Sequence, residues 1–265
     1  MLGWSINLFR VFGIQLAVHA SFLLLLIYAG YEGWSDGGGL SGLLWGVGLT
    51  VVFFVCVILH ELGHSLTAKR FGVRVPRILL LPIGGMAEFD HMPSKPSEEL
   101  LITVAGPAVN FVIALVLLPL VGLPAGWPLH SEYPDTFTGL GQLLLGWNLL
   151  MGTFNLLPVF PMDGGRILRA LLATRMPYLQ ATYRAVVIGR VLAVTFALVA
   201  AFYFKNPLTF ALFVFIAFAG NLEYRQLLRR EEEARYREEL ARRAHAAGPA
   251  YGDLELPPVI IHGPN

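Results

Sequence analysis

Two histidines four residues apart with a glutamate beside the first, His60-Glu61-Leu62-Gly63-His64, are the residues of this chain best suited to chemistry. On a helix, positions i and i+4 lie on one face, so both imidazoles can bind a single zinc while Glu61 reaches an adjacent water as general base. Such polar groups at the end of an apolar helix are costly unless they serve something. A catalytic zinc takes a third protein ligand and keeps its fourth position for water. The natural candidate is Asp163, in the run Asn155-Leu156-Leu157-Pro158-Val159-Phe160-Pro161-Met162-Asp163-Gly164-Gly165-Arg166. There two prolines break the helix and two glycines free the backbone, so the carboxylate can turn inward.

The elements that must position these residues are membrane helices. The chain has 265 residues, 55% hydrophobic and 14% charged, and a mean hydropathy of +0.62. That is more apolar surface than a soluble domain of this size buries. Six stretches read as spans, at about 16–31, 40–62, 99–122, 139–157, 185–204 and 207–222. The expected fold class is therefore an all-α polytopic membrane protein. Eighteen of the nineteen Lys and Arg residues then fall on one face, with Lys205 alone opposite. The excess of basic residues on cytoplasmic loops places both termini in the cytoplasm, in the cell (inner) membrane. With this topology spans two and four run in the same direction, and Asp163 comes to a depth similar to that of His64.

Between the spans, Glu32 to Gly39 and 123–138 read as short outward loops rich in Gly and Pro. Val73 to Phe89, aliphatic with Pro76, Pro82 and Gly84-Gly85, reads as either a loop or a small β-hairpin at the cytoplasmic face. Residues 1–223 form the expected membrane domain. A charged cytoplasmic helix follows over 224–247, with Glu231, Glu233, Glu238 and Glu239 each four positions before an arginine. Residues 248–265 make a Pro-rich tail, expected to be flexible. The lone Cys56 excludes a disulfide framework. A net charge of +1 gives no sign of an acidic partner, and no nucleic acid is expected.

These motifs resemble the site-2 proteases, peptidase family M50, which cut substrates inside the membrane. The resemblance rests on 60–64, on 155–164, and on Gly106-Pro107 with Asn110, and it covers roughly 1–223. It implies one zinc per chain held by His60, His64 and Asp163, with Glu61 as base. It further implies that Asn155 lies close to the metal, where its amide could steady an oxyanion or carbonyl. The segment Gly84 to Phe89 would be a strand that pairs with an unwound substrate, and Gly3 to Val18 a surface hairpin before span one. His19 is read as a helix-start or packing residue. The PDZ and CBS modules of many relatives do not fit in this chain. The implied substrate is a single-pass membrane protein or a signal-peptide-like segment in the lipid bilayer, and a regulatory membrane partner or a homo-oligomer stays open. Two rivals are a non-catalytic metal-binding membrane protein, against which Glu61 argues, and a divalent-cation transporter, for which no inverted repeat is seen.

Overall fold

The chain opens with an antiparallel hairpin of β1 (Ser5–Val11) and β2 (Ile14–His19), turning through Phe12 and Gly13, both at positive φ. The computed structural model from which this is read describes residues 4–91, 93, 95–123 and 136–246. Most of the outward loop expected at 123–138 and the whole tail at 248–265 lie outside the described residues. A short helix, α1 (Ser21–Gly33), follows and passes through a single π-helical turn, Trp34–Gly38, into the long α2 (Gly39–Arg70). The Glu32 to Gly39 loop is thus helical almost throughout, and the reversal falls at Gly39, whose φ of 51° suits a residue without Cβ.

After α2 come β3 (Arg77–Leu81) and β4 (Gly84–Ala87), then α3 (Pro96–Val121), α4 (Phe137–Asn155), α5 (Asp163–Ala173), α6 (Tyr178–Phe202) and α7 (Pro207–Ala246). The four strands form one mixed sheet in the order β1-β2-β3-β4, with β2 and β3 parallel and the other pairs antiparallel. Of the two readings of Val73 to Phe89, loop or small hairpin, the hairpin is the one present, and it joins the N-terminal hairpin in a single sheet. The parallel β2–β3 pair depends on the long crossover through α1 and α2, a contact that a local reading of the sequence does not supply.

The fold class stands, but the count of spans changes. Among the described residues four helices, α2, α3, α6 and α7, are long and apolar enough to cross a membrane. The stretch 16–31 divides into a strand and a helix of 13 residues, and at 1.5 Å per residue that helix reaches only about 20 Å. The apolar run of β2 is explained by burial in the sheet, since Ile14, Leu16 and Ala17 are fully covered. Helix α4 is long enough, but Gln142, Asn148 and Thr153 interrupt its apolar character. Helix α7 continues without a break past Glu223 into the charged segment.

Two packed regions hold the site elements in place. In the first, Ile14, Leu16 and Ile78 of the sheet meet Phe22 of α1, Phe54 and Val57 of α2, and Ile102 of α3. The Phe22 and Phe54 rings stand edge to face at 4.6 Å. In the second, the irregular segment between α4 and α5 pushes Val159 and Phe160 between α6 and α7, against Ala193, Ile216, Ala185 and Val186. Outer faces of the long helices expose large apolar side chains such as Leu115, Leu120 and Phe215, as surfaces facing lipid do.

Candidate metal centre

His60 and His64 lie on one face of α2, both 5% exposed, and Asp163 begins α5 at 7% exposed. Their metal-capable atoms converge. His60 Nε2 and His64 Nε2 are 3.1 Å apart, and Asp163 Oδ2 is 3.3 Å from the first and 3.2 Å from the second. Zinc bonds of about 2.0–2.1 Å in tetrahedral array separate neighbouring ligand atoms by about 3.3 Å, so the triangle has the size a zinc ion requires.

Hydrogen bonding behind the rings shows why the triangle wants a cation. His64 Nδ1 donates to Ile102 O at 2.8 Å, and His60 Nδ1 donates to Asn110 Oδ1 at 2.6 Å. Both partners are acceptors, so both Nδ1 atoms carry the proton, and in neutral rings each Nε2 presents a lone pair. The orientation of Asn110 is itself fixed, because its Nδ2 donates to Asn148 Oδ1 at 2.9 Å while Asn148 Nδ2 donates to Leu144 O at 2.9 Å. Two lone pairs and a carboxylate oxygen without a hydrogen-bond partner of its own therefore face one buried point. Three acceptors so placed repel one another unless a cation sits among them, and the donor set of two imidazoles and one carboxylate suits zinc.

Close backbone approach brings the elements together. A Cβ on Gly106 of α3 would lie 2.2 Å from His64 Nε2, so the imidazole occupies the space a side chain would fill. Gly164 and Gly165 serve the same purpose, because a Cβ on either would meet the backbone of the preceding segment at 2.1 Å and 2.7 Å. Neither adopts positive φ. Their role is close contact, which corrects the expectation that they free the backbone.

Glu61 is half-buried on α2 beneath β4, where a Cβ on Gly85 would approach its Cγ to 2.6 Å. Asn155 ends α4 with its amide nitrogen donating back to Met151 O at 3.1 Å. His19 stands where α1 begins, its Nδ1 accepting from the Ser21 backbone N–H at 3.2 Å.

Sequence reasoning missed three supporting groups. Asn148 orients Asn110, and its signal was a carboxamide midway along an apolar stretch. Gly85 covers Glu61. The third is an ion pair in the middle of α5: Arg169, 3% exposed, donates to Glu99 Oε1 from Nε at 3.0 Å and from Nη2 at 2.5 Å, and to Glu223 at 3.0 Å. Its guanidinium lies over the rings of Phe160 and Tyr178. Burial works against the charge on Arg169, yet the carboxylate of Glu99, with that of Glu223, more than offsets it and keeps the group cationic. Arg169 was counted only as a cytoplasmic charge, and nothing in the spacing of the sequence pairs it with Glu99.

Fold and site together define a multi-pass helical membrane protein with a buried cluster able to hold a metal ion. The profile of Peptidase family M50 matches residues 48–146 and 130–198, and the chain belongs to that family. It is 44% identical over 196 residues to a zinc metalloprotease of Methanocaldococcus jannaschii, covering 72% of this chain and 52% of that relative. It is 32% identical over 176 residues to stage IV sporulation protein FB of Bacillus subtilis, covering 64% of this chain and 56% of that relative. The chain thus spans about half the length of the curated relatives it matches. The solved structure of a site-2 protease from Methanocaldococcus jannaschii superposes with a TM-score of 0.59 at 37% identity, covering 83% of this chain and 95% of that one.

Proposed function

We propose that the protein is an intramembrane zinc metalloprotease that hydrolyses peptide bonds of membrane-embedded substrates, with Glu61 as general base. The observation that carries this reading is the convergence of His60 Nε2, His64 Nε2 and Asp163 Oδ2 in a buried triangle one residue away from an acid. Bound zinc, one per chain, would supply Lewis acidity, which acidifies water and polarises a carbonyl. Glu61 then takes a proton from the attacking water and passes one to the leaving amine. Asn155, one turn beyond Met151, would steady the developing oxyanion once its amide turns from the helix.

Substrate presentation follows from β4. It lies at the edge of the sheet, paired only with β3 among the described residues, and it crosses α2 above Val57 and Glu61. An unwound segment of a single-pass protein or a signal-peptide-like helix can add to such an edge and bring an exposed carbonyl next to Glu61. The basic residues support a cytoplasmic position for both termini in the cell (inner) membrane.

A Glu61→Gln variant tests the reading. It should keep its zinc and lose cleavage of a reconstituted membrane substrate. Cleavage by the variant at the wild-type rate would sink the mechanism, and a zinc-loaded wild-type protein that never cleaves would return the rival of a non-catalytic metal protein.

A further inference from the structure

None of the residues lining the cleft between α6 and α7 belongs to the metal cluster. The cleft has a volume of about 270 Å³. Its walls are Val194 and Leu198 on α6 with Phe210 and Phe218 on α7, all exposed, and Ala197 lies buried at its floor. Apolar walls exposed on two membrane-crossing helices open onto acyl chains. At one end the lining changes character, to Arg190 and Asn221, which are hydrogen-bonded to each other.

Arg190 lies within a membrane-crossing helix and is exposed. A guanidinium has five N–H donors and cannot lose its proton, so the one amide oxygen bonded to Arg190 among the described residues leaves most of its capacity unmet. Glu223, the nearest acid along α7 from Asn221, is turned away to Arg169 at 3.0 Å and leaves the charge of Arg190 in place. Arg184 lies six positions before Arg190 on α6, and Arg225 lies four after Asn221 on α7. At 1.5 Å per residue these steps are about 9 Å and 6 Å, and with α6 and α7 antiparallel they lead toward the same membrane face. The cleft therefore has one guanidinium, that of Arg190, at the end nearer this basic face, and an apolar trough leading inward from it.

We propose that this cleft is a binding site for one anionic phospholipid, its phosphate on Arg190 and one acyl chain along Val194, Leu198 and Phe218. Charge selects the head and the trough takes the chain, as basic pockets between membrane helices do for acidic lipids. The site stands on the membrane placement alone, so failure of the protease reading leaves it untouched.

The test uses the full chain in nanodiscs of phosphatidylglycerol and phosphatidylcholine, released for native mass spectrometry with zinc content measured in parallel. Wild-type protein should retain phosphatidylglycerol about fivefold over phosphatidylcholine. Arg190→Gln should abolish that preference, Arg190→Lys should keep part of it, and Val194→Trp, on the exposed wall, should lower retention of both lipids. Equal retention of the two lipids by the wild type, an unchanged preference in Arg190→Gln, or a retained peptide in place of lipid would each overturn the proposal. Because Arg190→Lys keeps the charge and Val194→Trp keeps Arg190, a folding defect in the glutamine variant does not remove the test.

Discussion

Asn110 Oδ1 accepts the Nδ1 proton of His60 at 2.6 Å, and this one hydrogen bond decides which nitrogen of His60 is left for a metal. The decision is made further back, because Asn148 and the Leu144 carbonyl fix which end of the Asn110 amide faces the ring. Replacing Asn110 with Leu keeps the size of the side chain and removes the acceptor. His60 is then free to rotate or change tautomer, and zinc affinity should fall about 10- to 100-fold, as for other lost partners of metal-bound histidines. Competition against a calibrated chelator measures this. Asn148→Leu should give a smaller loss, since it disorients Asn110 without deleting it, and unchanged affinity in both variants would refute the relay.

Gly106→Ala separates a packing role from a propensity role. In an exposed helix interior the change would add about 1 kcal/mol of stability. Here the new Cβ would sit 2.2 Å from His64 Nε2, so the ring must leave the triangle or α3 must move away from α2. The expected result is retained helical circular dichroism with bound zinc well below one per chain. A fully loaded Gly106→Ala protein would mean that the ring and backbone adjust at little cost.

The gathering of His60, His64 and Asp163 was legible in the sequence because helix periodicity puts the two histidines on one face and because Asp163 follows a broken helix. The tertiary support was not. Sequence hydropathy cannot distinguish apolar residues facing lipid from those in a buried strand, so Leu16 to Val18 read as part of a span although they lie inside a sheet. Contacts between distant elements, such as Arg169 with Glu99, depend on packing angles that no local pattern encodes.

Arg169 anchors α5, the helix that Asp163 begins, to α3 and α7. Removing one member of a buried pair leaves the other charge uncompensated, which costs about 3–5 kcal/mol. Arg169→Met should therefore unfold at a markedly lower denaturant concentration in detergent, and Glu99→Gln by a lesser margin. Combining Arg169→Met with Glu99→Met removes both charges and should recover most of the loss. If the double variant were no better than Arg169→Met alone, the pair would not be the source of the destabilisation.

Gly85 tests the claim that Glu61 works by position as well as by acidity. A methyl group at Gly85 would approach Glu61 Cγ to 2.6 Å and Val57 Cγ1 to 3.1 Å. The Glu61 chain can swing aside, whereas β4 is held to β3 by its ladder, so the side chain moves and the strand stays. None of the three metal-facing atoms is touched, so zinc content should remain at the wild-type value. A base displaced by about 1 Å can cost about 100-fold in rate, and turnover of a membrane substrate by Gly85→Ala should fall toward that extent. The pattern of full zinc, intact fold and slow cleavage differs from that expected of Gly106→Ala, which loses metal. Wild-type turnover in Gly85→Ala would show that Glu61 tolerates displacement and that β4 does not set its position.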